Sequence, residues 1–243
     1  MPHFFIKSEN VKNDIAIIND AETYKHLVKS RRSKTGENLL LIDENQIQYE
    51  TVLKEINSDN LVFKIEKQYK SKRKLEFDLI LAQSPLRSDA QSLVIEKATE
   101  LGVNEVYPVH TDNCAVNKQA IQGKIERWQK IMFEASKQCE RADIPTCHDV
   151  SDLKTVLDLK VDKILAFCER NTDLTLNNYL SKNPIQKNEK VLVIIGPEGG
   201  FSKEEFNLFR EKQIPMITLG NLILKAETAV TVALGNIIYE FTK

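Results

Sequence analysis

The stretch Val191-Leu-Val-Ile-Ile-Gly-Pro-Glu-Gly-Gly-Phe-Ser202 decides the fold. The unbroken apolar run Val191–Ile195 reads as a strand buried on both faces, as in a parallel sheet covered by helices. Gly196-Pro197-Glu198-Gly199-Gly200 then turns the chain, and Ser202-x-x-Glu205 is a capping box that opens a helix to about Glu211. This order puts a glycine loop at the carboxyl end of a parallel strand, where α/β proteins bind ligands. Glycines let the backbone approach a flat or bulky ligand without Cβ clashes, and Pro197 stiffens the turn. The alternative is a tight connection with no ligand. The loop is neither GxGxxG nor a P-loop, so a dinucleotide or nucleoside triphosphate is not favoured.

A second segment, Ile217-Thr-Leu-Gly-Asn-Leu-Ile-Leu-Lys-Ala-Glu-Thr-Ala229, repeats the pattern of strand end, glycine loop and helix. Leu219, Leu222, Ile223 and Leu224 are unusually apolar for a loop and suit packing against an aromatic ring. Lys225, Glu227 and Thr228 gather polar groups at the helix start. Further outward, Leu75–Gln83, Val103–Val109, Lys163–Cys168 and Pro215–Leu219 read as strands. Helices are expected from Ser88 (capping box with Gln91) to Gly102, from Asn117 to about Cys139, over Asp173–Leu180 and over Ala226–Phe241. Strand–helix alternation of this kind predicts a parallel α/β sheet with helices on both faces.

Upstream of Leu75 the texture differs. Phe4–Ile6, Ile15–Ile18, Asn38–Asp43, Gln46–Ile56 and Leu61–Tyr69 read as short strands, with one helix capped by Asp20 and running to Lys29. The expected organisation is therefore a small β-barrel at 1–70 and an α/β domain at 75–243.

The 243 residues are 42% hydrophobic and 28% charged, ordinary for a packed chain, and no apolar run approaches a membrane span. The opening MPHFFIKSEN has no signal-peptide pattern, and Cys114, Cys139, Cys147 and Cys168 form no CxxC pair. Reduced thiols, no metal and a cytoplasmic location are expected. The net charge is −1 but unevenly spread: residues 1–74 carry 14 Lys and Arg against 11 Asp and Glu. Two basic clusters account for this, Lys25–Lys34 and Lys64–Lys74. They read either as phosphate contacts or as a solvated helix face and a charged linker.

Three segments, Ile195–Gly200 (IGPEGG), Leu219–Ala229 (LGNLILKAETA) and Ile95–Gly102 (IEKATELG), resemble the signatures of the RsmE family, 16S ribosomal RNA uridine N3-methyltransferases of the SPOUT class. Arg127-Trp128, Glu134-Ala135, Gln138 and Arg141 are similar to the family's long-helix pattern, and His26, Arg32 and Gly36 to its N-terminal segment. The resemblance implies a PUA-like RNA-binding barrel followed by a SPOUT α/β domain with a deep trefoil knot. It implies a homodimer, S-adenosylmethionine held by the glycine loops, no metal, and 16S ribosomal RNA or the small subunit as partner, with no membrane or DNA. The chain departs from the family pattern at Lys225 and Asn113, where arginine is usual, and at Ala90, where a second basic residue is usual.

On this reading the cofactor residues are Ile195, Gly196, Glu198, Gly199, Gly200, Leu219, Gly220 and Leu224. Lys225 is the candidate cation for charge developing on the uracil carbonyls. Glu198 accepts the N3 proton or hydrogen-bonds within its loop. Lys29, Arg31, Arg32, Arg87, Arg127 and Arg141 are candidate RNA contacts, with intrahelical pairs to Glu134 or Glu140 the alternative for the last two. A catalytically weakened RNA-binding homologue and a SPOUT enzyme with another RNA target are the competing readings.

Overall fold

The computed structural model describes residues 3–170 and 172–242, which divide into two compact units. The first unit is the chain up to Lys74 together with Ser136–Asp143, and the second is Leu75–Ala135 with the chain from Ile144 onward.

The first unit holds β1 (His3–Phe5), β2 (Val11–Lys12), β3 (Ile15–Ile18), α1 (Ala21–Lys25), β4 (Asn38–Ile42), β5 (Ile47–Ile56) and β6 (Leu61–Lys70). They form one sheet in the order β1-β4-β5-β6-β3-β2, antiparallel except for β1 on β4. Register shifts at Glu50/Thr51 and Leu53/Glu55 interrupt the long β5–β6 ladder, and bulges of this kind bend and twist a sheet. One face buries Leu39, Leu41, Tyr49, Leu53 and Phe63 with Leu27 from the π-helical turn His26–Ser30 that prolongs α1. Asp20 caps α1 by accepting from the Thr23 N–H at 2.7 Å, as its position before the helix predicts.

The sequence-based boundary at residue 70 falls short in one respect. Ser136–Asp143 was expected in the second domain and joins the first unit instead. Two contacts explain this: the Ala142 N–H donates to the Arg73 carbonyl at 3.3 Å, and Arg73 pairs with Glu140.

The second unit holds β7 (Asp78–Gln83), α2 (Ser88–Glu100), β8 (Glu105–His110), α3 (Lys118–Gln122), α4 (Ile125–Gln138, whose last turn from Ser136 counts with the first unit), β9 (Thr146–Cys147), β10 (Ser151–Asp152), α5 (Leu153–Leu157), β11 (Lys163–Phe167), α6 (Leu176–Leu180), β12 (Lys190–Ile195), α7 (Lys203–Glu211), β13 (Met216–Ile217) and α8 (Ala226–Thr242). The sheet is parallel, ordered β10-β8-β7-β12-β11-β13, with β9 also on β8. Strand β12 lies between β7 and β11, and its side chains divide by parity, as the pleat requires. Val191, Val193 and Ile195 join the cluster that holds Val94 and Ile95 of α2 and Val230 and Leu234 of α8. Leu192 and Ile194 join Phe201, Phe206 and Phe209 on the other side. Phe201 meets Phe209 edge-on, with centroids 5.0 Å apart at 85°. Burial on both sides explains the unbroken apolar run, since each such side chain contributes about 1.5–3 kcal/mol when removed from water.

The helix expected from Asn117 to Cys139 is two helices. Asn117 does cap, accepting from the Ala120 N–H at 2.8 Å, but α3 ends at Gly123 and α4 starts afresh. Arg87 stands at the N-cap position of α2, and the Gln91 side-chain carbonyl accepts from the Leu86 N–H at 2.7 Å; the Ser88 side chain, on which the expected capping box turns, lies outside the described residues.

Candidate functional site

At the carboxyl ends of β11, β12 and β13 lies a cavity of about 410 Å³, bounded by the start of α8. Its walls come from three strand ends, the start of α8 and Ala90 of α2. β12 contributes Ile195, Gly196, Pro197 and Glu198. The segment after β13 contributes Thr218, Leu219, Gly220, Leu222, Ile223 and Leu224. Lys225 and Glu227 stand where α8 begins. Of the residues predicted for the cofactor, Ile195, Gly196, Glu198, Leu219, Gly220 and Leu224 line this cavity, and so does Lys225.

Gly199 and Gly200 are not among the residues that line the cavity. Their reason for being glycine is different. A Cβ on Gly199 would sit 3.1 Å from the Asn113 Cβ, and Gly200 has φ +68°, a left-handed backbone that side chains rarely adopt. Gly199 thus packs against Asn113, while Gly200 lies against Glu169, itself a residue of the cavity wall.

Phe167, Cys168 and Glu169 at the end of β11 also line the cavity and escape the sequence reading. The available signal is the strand Lys163–Cys168 itself, whose end becomes part of the site once β11 is known to pair with β12. Burial pushes the Cys168 thiol up to about 12, so it is no nucleophile at neutral pH.

Charge and shape together specify the occupant. Three carboxylates (Glu169, Glu198, Glu227) and one ammonium (Lys225) face a cavity otherwise walled by Phe167, Ile195, Leu219, Leu222, Ile223 and Leu224. The apolar wall suits a flat ring, and the acidic excess suits a ligand with cationic groups. S-adenosylmethionine has an adenine ring, a sulfonium and an ammonium, and the residues present fit it.

None of the candidate RNA contacts is among the residues that line this cavity. Lys29, Arg32, Arg87 and Arg127 are exposed. Arg31 is already paired with Glu37. Arg141 is a correction: it is 6% exposed and its guanidinium donates to both carboxylate oxygens of Asp143, at 3.1 and 3.0 Å. That fork ties Arg141 within the Ser136–Asp143 segment. In the second basic cluster Lys64 pairs with Glu66 and Lys67 with Glu50, so part of that charge is neutralised at home.

The geometry agrees with the comparisons to known proteins. Residues 73–238 match the model of the RNA methyltransferase domain, and residues 18–66 that of the RNA methyltransferase PUA domain. The ribosomal RNA small subunit methyltransferase E of Rickettsia conorii is 29% identical over 237 residues, covering 95% of this chain and 91% of its own. That of Mesomycoplasma hyopneumoniae is 28% identical, covering 94% and 95%. Among solved structures, a methyltransferase of Legionella pneumophila in complex with S-adenosylmethionine superposes with a TM-score of 0.84 at 25% identity, covering 97% of this chain and 96% of that one. The fold and cavity therefore define an RNA methyltransferase domain carried with a PUA domain. The chain belongs to the RsmE family of ribosomal RNA methyltransferases.

Proposed function

We propose that the protein methylates N3 of a uridine in 16S ribosomal RNA, with S-adenosylmethionine held in the cavity at the ends of β11, β12 and β13. One observation carries this reading: the two glycine segments and the end of β11 converge on a single acidic, apolar-walled cavity with Lys225 at its edge. The cofactor supplies an activated methyl group on a sulfonium, so direct displacement by the uracil nitrogen needs neither metal nor covalent enzyme intermediate. The task left to the chain is positioning and charge management. Leu219 and Leu224 pack the adenine ring. Glu198 takes the N3 proton. Lys225 stabilises the negative charge left on the ring carbonyls. Glu227 braces the loop.

Several finer properties belong to the same proposal. The second domain is knotted, a reading supported by the return of the chain after β12 to the far side of β11, where β13 pairs. The enzyme is a homodimer, a reading supported by exposed Leu93, Leu222, Ile223 and Tyr239 on the second unit. It acts in the cytoplasm, binds neither membrane nor DNA, and no helix among the described residues is long and apolar enough to cross a bilayer.

The test is a loss-and-gain experiment. Ribosomal RNA from cells lacking the gene should lose one N3-methyluridine in 16S RNA, and purified protein with S-adenosylmethionine should restore it. Restoration at a base other than uridine, or in another RNA, would overturn the assignment.

RNA affinity should come chiefly from the first domain. Replacing Arg31 and Arg32 by alanine should weaken binding to small-subunit RNA and leave S-adenosylmethionine affinity within about twofold. Each lost phosphate contact flattens the slope of log K against log salt by about 0.7–0.9. Because Arg31 is held by Glu37, the change should be close to one contact, carried by Arg32, and not two. A filter-binding salt titration of the single and double mutants measures this.

A further inference from the structure

The Gly199–Gly200 end of the Gly196–Gly200 loop is held by the segment after β8, two strands distant across β7. The Asn113 side-chain amide donates to the Gly200 carbonyl at 3.1 Å and to the Gly199 carbonyl at 3.4 Å. The Asn113 Cβ fills the space that a side chain on Gly199 would need. The neighbouring residue completes the tie. Ser202 Oγ donates to Asp112 Oδ2 at 2.6 Å, and the Asp112 N–H donates to Glu205 Oε1 at 3.1 Å. Glu205 Oε2 accepts from the Ser202 N–H at 2.8 Å, closing the capping box of α7. At its other end the segment is fixed to β7 through a 2.7 Å contact between Thr111 Oγ1 and Ser84 Oγ.

These contacts divide labour within five residues. Gly196, Pro197 and Glu198 face the cavity, while Gly199 and Gly200 give their carbonyls to Asn113. A loop whose back is tied in two places holds its front at one distance from the ligand. Without the amide, the loop keeps its α7 anchor and loses the tie nearest Glu198.

We propose that Asn113 is a positioning residue for methyl transfer, acting through the Gly199 and Gly200 carbonyls to fix Glu198 and Gly196 against the cofactor cavity. This rests on the cofactor reading above. It assigns Asn113 a role in which it touches neither substrate nor cofactor.

The experiment uses the full-length protein, with S-adenosylmethionine binding read by calorimetry and transfer by single turnover on small-subunit RNA. Asn113→Ala should raise the cofactor Kd about tenfold, the order expected for two modest hydrogen bonds. The melting temperature should hold, because Ser202 and Glu205 still cap α7. Asn113→Asp, the same size but unable to donate, should weaken binding more, since its carboxylate would face two carbonyl oxygens. It also keeps the test open should the alanine variant fold poorly. The decisive arm is a double-mutant cycle with Glu198→Gln. If Asn113 acts by placing Glu198, the rate loss of Asn113→Ala should vanish in that background. An unchanged Kd in both Asn113 variants, or the same rate loss with and without Glu198, would overturn the proposal. Failure of the parental protein to bind S-adenosylmethionine would instead overturn the cofactor reading, a separate result.

Discussion

Lys225→Ala should slow single-turnover methyl transfer by about 100-fold and leave RNA affinity within about threefold. The size follows from the usual cost of removing one preorganised group that stabilises developing charge. The position supports it. Lys225 is exposed at the edge of the cavity, directly before α8, and no ion pair engages it among the described residues. Its charge is therefore available to the substrate. Deprotonated uracil spreads its negative charge over the ring carbonyls, and an ammonium beside them lowers the barrier without altering ground-state binding much. Lys225→Arg tests geometry at constant charge, because the guanidinium is a planar fork and the ammonium a compact point charge. It should retain most of the rate. Transfer by the alanine variant at the parental rate would remove Lys225 from the chemistry.

What the sequence makes legible here follows the range of the interactions. The parallel sheet is readable from Val191–Ile195, because burial on both faces leaves no polar position in the strand. The caps at Asp20, Asn117 and Ser202 are readable because each depends on a residue three positions away. Two-residue strands are another matter. β9 and β10 show no periodicity in Thr146–Cys147 or Ser151–Asp152, and only their partner β8 defines them. The break at Gly123 between α3 and α4 is masked by helical spacing of Trp128, Ile131, Met132 and Ala135, which continues the apolar face expected of a single helix.

Within the site the same division holds. Ile195, Gly196, Glu198, Leu219 and Leu224 are found from their own segments. Phe167–Glu169 are not, since their place depends on sheet order, a tertiary fact. Arg141 shows the converse error. A basic residue in a family-like position invites an RNA role, but its fork closes on Asp143 two residues on and it is buried. Gly199 errs in direction only. A side chain there meets Asn113 behind the loop, which is the neighbour the structure places against it.

That distinction sets the last and largest expected effect on cofactor binding. Gly220 has φ +126°, where only glycine is comfortable, and a Cβ there would meet nothing within 4 Å. It also lines the cavity, so a change in its backbone alters the cavity wall. The turn is held by Thr218, whose hydroxyl donates to the Gly220 carbonyl at 3.0 Å and accepts from the Gly220 N–H at 3.2 Å. Gly220→Val therefore has two consequences that add. A β-branched residue in this conformation costs about 1–3 kcal/mol, which the turn relieves by moving away from its present path. Two methyl groups are then added to a residue of the wall proposed to receive the cofactor. S-adenosylmethionine affinity should fall by about 100-fold or more, since each 1.4 kcal/mol is tenfold. The rest of the core is untouched, so far-UV circular dichroism should be parental. Gly199→Val should differ in kind: its side chain meets Asn113, so the melting temperature drops along with affinity. Gly220→Ala, with the same backbone strain and less bulk, should lie between parent and valine. Parental affinity in a folded Gly220→Val protein would mean that the loop after β13 does not hold the cofactor.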